Sequence, residues 1–301
     1  MARIPGELLI VFAAIAWGSA YPATTLVLVD LPPVGAAAWR GGLSAIVMIG
    51  ILLARGEGRH LLIVRRQILP LVVLGGLGGT LFTIGLNLSV VAAGSSVTAF
   101  LVGSFPIVMV VTAPLVLRER LTPRVVAGAV LAVGGTLLLT RPGTGANGTV
   151  VVTALAASLG FALYLQLARK WGGPYALHPG TVAVVVMAAV PLGCVPLQLV
   201  LNPSGLVPGF TTGELLGFLW LATISGGIAH IAANSAVRRM PAGRSSAFLF
   251  LVPLSGATIA AIVLGERLDP IQIVGGLLIV TAIIVATAPR SWLGGKRPAP
   301  V

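Results

Sequence analysis

Charge is scarce in this chain. Only 9% of its 301 residues are Asp, Glu, Lys or Arg, where a soluble domain carries about a quarter. With 57% hydrophobic residues and a mean hydropathy of +1.05, the deficit excludes a water-soluble globule and places the chain in a bilayer. Cysteine is nearly missing: Cys194 stands alone in an apolar run, so no internal disulfide and no cysteine metal cluster is possible. It reads as a small buried hydrophobe. The lysines are Lys170 and Lys296, and neither follows a G-x-x-x-x-G run. That excludes a phosphate loop and direct use of ATP. No carboxylate falls in the middle of an apolar run, and no His-x-x-x-His pair, nucleophile with a base, or carboxylate pair is visible. Proton coupling through Asp or Glu, metal catalysis and hydrolytic chemistry are therefore disfavoured. No cofactor and no metal is expected.

What the chain does have is long apolar runs. At about twenty residues per span, they lie near 7–29, 34–54, 68–91, 96–117, 123–140, 149–168, 178–200, 214–236, 244–264 and 270–288. Runs of that length are helices, because barrel strands are half as long. The expected fold is an all-α membrane protein of ten transmembrane helices. Met1–Ala20 resembles a cleavable signal, but its apolar run continues to Val29 and is read as an uncleaved first helix.

The runs form two copies of one unit. Thr98–Pro123 and Ser245–Pro270 align at a constant offset of 147 residues, pairing Pro106 with Pro253, Glu119 with Glu266, Leu121 with Leu268, and Pro123 with Pro270. The same offset pairs Gly79 with Gly226, Asn87 with Asn234, and Gly128 with Gly275. The first repeat is placed at 1–140, a Gly-rich linker at 141–148, the second repeat at 149–290, and a tail at 291–301. Five helices per repeat invert the second copy in the membrane. Of the 19 basic residues, all but Arg40, Arg141 and Arg267 fall on the side of the N-terminus. Both termini are thus expected in the cytoplasm, in a multi-pass protein of the cell inner membrane. The net charge of +12 follows membrane topology, and no nucleic-acid partner is expected.

Several residue sets are candidates for a transport site. Pro106 and Pro253 are repeat-related helix breaks, expected to bend their helices and to gate. Thr80, Thr83 and Asn87 share a helix face, and at the common offset stand Gly227, His230 and Asn234. The two asparagines are expected to offer amide groups to a polar substrate, against a role as glue between helices. Trp17, Tyr21, Phe82, Phe100, Phe161, Tyr164 and Phe248, with Ser19, Ser104 and Ser158, would line an amphipathic pocket. His230 can bond substrate or carry a proton. Arg40 can snorkel outward, pair with Asp30, or hold a carboxylate.

The pattern resembles the drug/metabolite transporter superfamily, in particular its ten-helix EamA-type exporters. The resemblance rests on Trp17-Gly18-Ser19, Arg40, Pro106, Glu119-Arg120-Leu121 and Gly128, and in the second half on Gly160, Pro253, Gly265-Glu266-Arg267-Leu268 and Gly275. It implies helices one, three, four, six, eight and nine around a central cavity, alternating access, and export of small amphipathic metabolites. Neutral or aromatic amino acids are the first choice of substrate, with the lipid bilayer as the other partner. A multidrug or nucleoside-type efflux carrier, and an intramembrane lipid-handling enzyme using His230 and Arg40, are the rival readings.

Overall fold

A computed structural model describes residues 4–118, 121–139, 148–207, 209, 211–263 and 270–287. Among them all regular structure is helical. The first half contains α1 (Gly6–Val27), α2 (Pro33–Ala54), α3 (Arg65–Ala92), α4 (Phe105–Leu117) and α5 (Pro123–Leu139). The second contains α6 (Gly148–Gly172), α7 (Pro179–Leu201), α8 (Thr212–Val237), α9 (Leu251–Val263) and α10 (Pro270–Thr287). Prolines at the first position of α2, α5, α7 and α10 start these helices where a missing N–H costs nothing. Six spans, α1, α2, α3, α7, α8 and Val152–Gly172 of α6, are long and apolar enough to cross a membrane, and shorter apolar helices accompany them. Outward-facing Leu115, Leu192 and Val200, exposed by 81%, 77% and 84%, form the kind of apolar surface that lipid covers.

Several helices are interrupted where the apolar runs give no warning. α1 bends at Ser19. The expected gap between the third and fourth helices is a single residue, Gly94, whose φ of 79° turns the chain without a loop. Before α4 the chain passes through a 3-10 turn, Val102–Ser104, and before α9 a separate helix, Ala242–Leu249, ends at Phe250. Pro106 and Pro253 therefore stand in the first turn of new helical segments, where proline is tolerated.

α3 and α8 each contain a π-helical stretch, Gly76–Leu81 and Leu221–Ile228. Within them Gly79 packs so closely on α7 that a Cβ would stand 2.0 Å from the Val186 carbonyl oxygen, and a Cβ on Gly226 would stand 2.1 Å from Ser44 Oγ of α2. Only glycine permits these approaches.

Helix directions follow from the same contacts. Gly35 at the start of α2 meets Gly205 beyond the end of α7, and Leu52 near the end of α2 meets Gly180 at the start of α7, so these helices are antiparallel. α1 and α8 are antiparallel too, Gly6 touching Met240 and Gly217 touching Val27. α3 and α6 repeat the arrangement through Gly78 on Tyr164 and Gly85 on Ala157. α5 and α10 pair with each other.

Candidate functional site

Where α1, α3, α4, α6 and α8 converge, their aromatic residues form one buried cluster. Phe161 is its hub, with ring centroids 4.2 Å from Phe82, 4.9 Å from Phe105, 5.0 Å from Trp17, 5.4 Å from Tyr164 and 6.1 Å from His230. The Trp17 and Phe105 contacts are edge-to-face, the geometry that the ring quadrupoles favour. Trp17 also meets His230 edge-on at 5.2 Å. These side chains are packed against one another and almost wholly buried. The cluster is thus a closed plug in this structure.

Polar groups hold the plug in place. Ser158 Oγ, on α6, donates to the Leu101 and Val102 carbonyls at 3.0 Å each, which satisfies carbonyls next to the 3-10 break. Gly103 of that break faces Pro253 of α9, with the Tyr21 hydroxyl beside it. Asn234 donates to the Tyr164 hydroxyl and to the His230 carbonyl. His230 Nδ1 lies 3.1 Å from the Ser225 carbonyl oxygen and 3.4 Å from Trp17 Nε1. Trp17 Nε1 can only donate, to a lone pair on Nδ1, whereas the Ser225 carbonyl can only accept, from a proton there, so the two contacts call for opposite tautomers of the ring.

The structure brings some of the sequence candidates together and separates others. Trp17, Phe82, Phe161, Tyr164 and His230 meet in the plug, with Ser158 and Asn234 behind it and Tyr21 in the same core. Asn87 does not face Asn234. Its Nδ2 donates to the Pro33 carbonyl at 2.8 Å, at the start of α2, whereas Asn234 is near the opposite end of the bundle, in the last turn of α8. Thr83 is buried, but Thr80 points away to α7, donating to the Ala189 carbonyl at 2.8 Å. Ser19 accepts from Trp220 Nε1 at 2.8 Å and borders an apolar cleft of about 560 Å³ between α1, α8 and α9. Phe248 packs partly buried against the core. The side chains of Phe100 and Ser104, residues 141–147 of the linker, the 291–301 tail, Glu119-Arg120 and Gly265–Leu268 lie outside the described residues.

Three contributors escaped sequence reasoning. Phe105 sits beside Pro106 and reaches the hub, although proline drew attention away from it. Gln166 Nε2 donates to the Met109 carbonyl at 2.6 Å and its Oε1 accepts from Thr112 at 2.9 Å, joining α4 to α6. Its signal was an amide in an apolar helix. Ser225 was hidden inside the π-helical stretch.

One end of the bundle is tied by polar contacts between the 55–64 and 173–178 connections. His60 and His178 stack with centroids 4.0 Å apart and planes 8° from parallel, and Thr181 Oγ1 donates to the His60 carbonyl at 2.6 Å. Gln67 Nε2 donates to the Tyr175 carbonyl, and Arg238 to that of Leu177. His178 caps α7 by accepting from the Gly180 N–H at 3.3 Å. Burial holds its imidazole below the usual range, His60, Arg238 and Arg55 add to the effect, and Glu57 opposes it.

Comparison with known proteins decides the family. A model of the EamA-like transporter family matches residues 4–141 and again residues 148–288. The chain belongs to the EamA-like transporter family. A probable terminal-alkyne amino-acid exporter of Streptantibioticus cattleyicolor is 29% identical over 96% of this transporter and 95% of its own length. A probable amino-acid metabolite efflux pump of Escherichia coli K12 is 26% identical over 58% of this chain and 61% of that protein. A solved crystal structure superposes with a TM-score of 0.80, covering 96% of this chain and 99% of the other at 20% identity, a likeness of fold. With its apolar helices, this EamA-like protein is a multi-pass membrane transporter and not an enzyme.

Proposed function

We propose that the chain exports small amphipathic metabolites, first among them neutral or aromatic amino acids, by alternating access through the plug. The observation that carries this reading is the buried cluster of Trp17, Phe105, Phe161, Tyr164 and His230, set where the breaks before α4 and α9 face each other. Aromatic faces suit an apolar side chain, and orphaned polar atoms around them suit a polar head. The names of the bacterial relatives, an amino-acid exporter and an amino-acid metabolite efflux pump, point to the same substrate class.

The proposed architecture is ten transmembrane helices in two inverted repeats of five, with both termini in the cytoplasm of an inner-membrane protein. The antiparallel course of α2 and α7, and the π-helical stretches and breaks that recur at the 147-residue offset, support it. Substrate enters from the end closed by His60, His178 and Gln67, separates the rings, and leaves at the end where α2 begins. The breaks before Pro106 and Pro253 are the hinges. Bacteria lacking their own exporters and fed dipeptides test the direction. Cells producing the protein should accumulate free phenylalanine or leucine in the medium, and an unchanged medium for every amino acid overturns the reading.

A further inference from the structure

Arg40 is the buried charge of α2. The side chain is 3% exposed, one turn before Ser44, whose hydroxyl donates to the Arg40 carbonyl at 2.7 Å. Its depth excludes snorkelling. It takes part in neither of the ion pairs found among the described residues, Arg55 with Glu57 and Arg244 with Glu7, and Asp30 lies exposed without pairing to it. Nε and Nη1 of the guanidinium are buried with no hydrogen-bond partner from the protein. Burying a cation without partners costs several kcal/mol, so the position calls for an anion that none of the described residues supplies.

The surroundings fit a zwitterion. Ser44, one turn on from Arg40, abuts Gly226 and lies 3.5 Å from the Leu221 carbonyl oxygen, which sets this face of α2 against the π-helical stretch of α8 that holds Ser225. Six further buried atoms lack a hydrogen-bond partner: His230 Nε2, Ser225 Oγ and Thr24 Oγ1, the last one turn along from Tyr21, and one side-chain oxygen each of Asn87, Asn234 and Glu214. The two hydroxyls are acceptors for an ammonium, as is His230 Nε2 in the tautomer that leaves it unprotonated. At the 147-residue offset from Arg40 stands Met187, so the cation belongs to one half only.

Building on the export reading, we propose that Arg40 holds the carboxylate of the transported molecule in a two-pronged hydrogen bond, making a free carboxylate the mark of a substrate. His230, Ser225 and Thr24 receive the ammonium, and the apolar side chain replaces ring contacts at Trp17 and Phe161. Truncating one partner of a buried charged pair costs about 2–5 kcal/mol, a loss of at least about tenfold in binding.

The test uses purified full-length protein in liposomes and labelled phenylalanine counterflow, with competitors that each lack one group. Phenylpropionate should compete, whereas phenethylamine and phenylalanine methyl ester should not. Arg40→Met should lose counterflow at least about tenfold while unfolding at a higher temperature than the parent, which separates lost binding from lost folding. Phenylpropionate should raise the parent's unfolding temperature and leave that of Arg40→Met unmoved. Counterflow by Arg40→Met within twofold of the parent, or competition by the ester equal to that of the acid, overturns the anchor while export stands. If the parent moves no amino acid, the export reading fails, and the thermal shift alone judges the anchor: a shift lost in Arg40→Met supports it, and no shift with any carboxylate overturns it.

Discussion

Phe161→Ala is the sharpest perturbation of the plug, because five rings lose their common neighbour at once. Phe161 is 1% exposed, so the truncation opens a cavity bounded by Trp17, Phe82, Phe105, Tyr164 and His230. Removing a buried Phe costs about 3–5 kcal/mol, of which each close ring pair contributes about 0.5–1.5 kcal/mol beyond its area. Phe161→Leu refills most of the volume and loses mainly the ring terms, so it should cost about 1–3 kcal/mol. At about 2 °C per kcal/mol for a chain of this size, the melting temperature in detergent should fall by about 6–10 °C for Ala and by about 2–6 °C for Leu. A cycle of Trp17→Leu, Phe161→Leu and the double variant should return a coupling of about 0.5–1.5 kcal/mol for the 5.0 Å edge-to-face pair. A loss below about 1 kcal/mol for Phe161→Ala, or no coupling with Trp17, would refute a closed ring core and leave an open chamber instead.

Other consequences are local. Gly79→Ala drives a methyl into the Val186 carbonyl and should lower the yield of folded protein, whereas Gly50→Ala, which meets nothing within 4 Å, should be neutral or slightly stabilising. Equal thermal stability of the two variants would contradict the close packing of α3 on α7. Gln166→Leu removes the bonds to Met109 and Thr112 and should cost about 0.6–1.7 kcal/mol by thermal unfolding, the range for hydrogen bonds between membrane helices. The His178 imidazole is held below its ordinary value of 6.5, so the unfolded chain binds the proton first. Stability should be full above about pH 6.5 and fall as pH drops below it toward the lowered value. His178→Gln should flatten that dependence, and an unchanged slope in melting temperature between about pH 7.5 and 5.5 would dismiss the residue as its source.

Much of the helical fold was legible because bilayer thickness sets the length of a spanning helix, so apolar runs located most helices to within a few residues, although α4 and α9 begin well inside theirs. α6 runs on to Gly172 through its polar end, Arg169 and Lys170, which hydropathy alone cut short. The interruptions were less legible. A π-helical stretch adds a residue without any change of composition, and the turn at Gly94 looks like any small residue in an apolar run. Phe161 and Tyr164, grouped by their spacing on one helix, do come together in the ring cluster. Less legible were side chains bonded by another helix, as Thr80 is by α7 and Asn87 by the start of α2. Periodicity names a face, while only the packing of helices says what that face meets.

The claim on which all of this converges is that the chain carries amino acids across a bilayer. Counterflow settles it: liposomes holding the purified protein and unlabelled phenylalanine or leucine should draw in the labelled amino acid well above protein-free vesicles. Labelled uptake no greater than in protein-free vesicles, for every neutral and aromatic amino acid tried, would contradict the account.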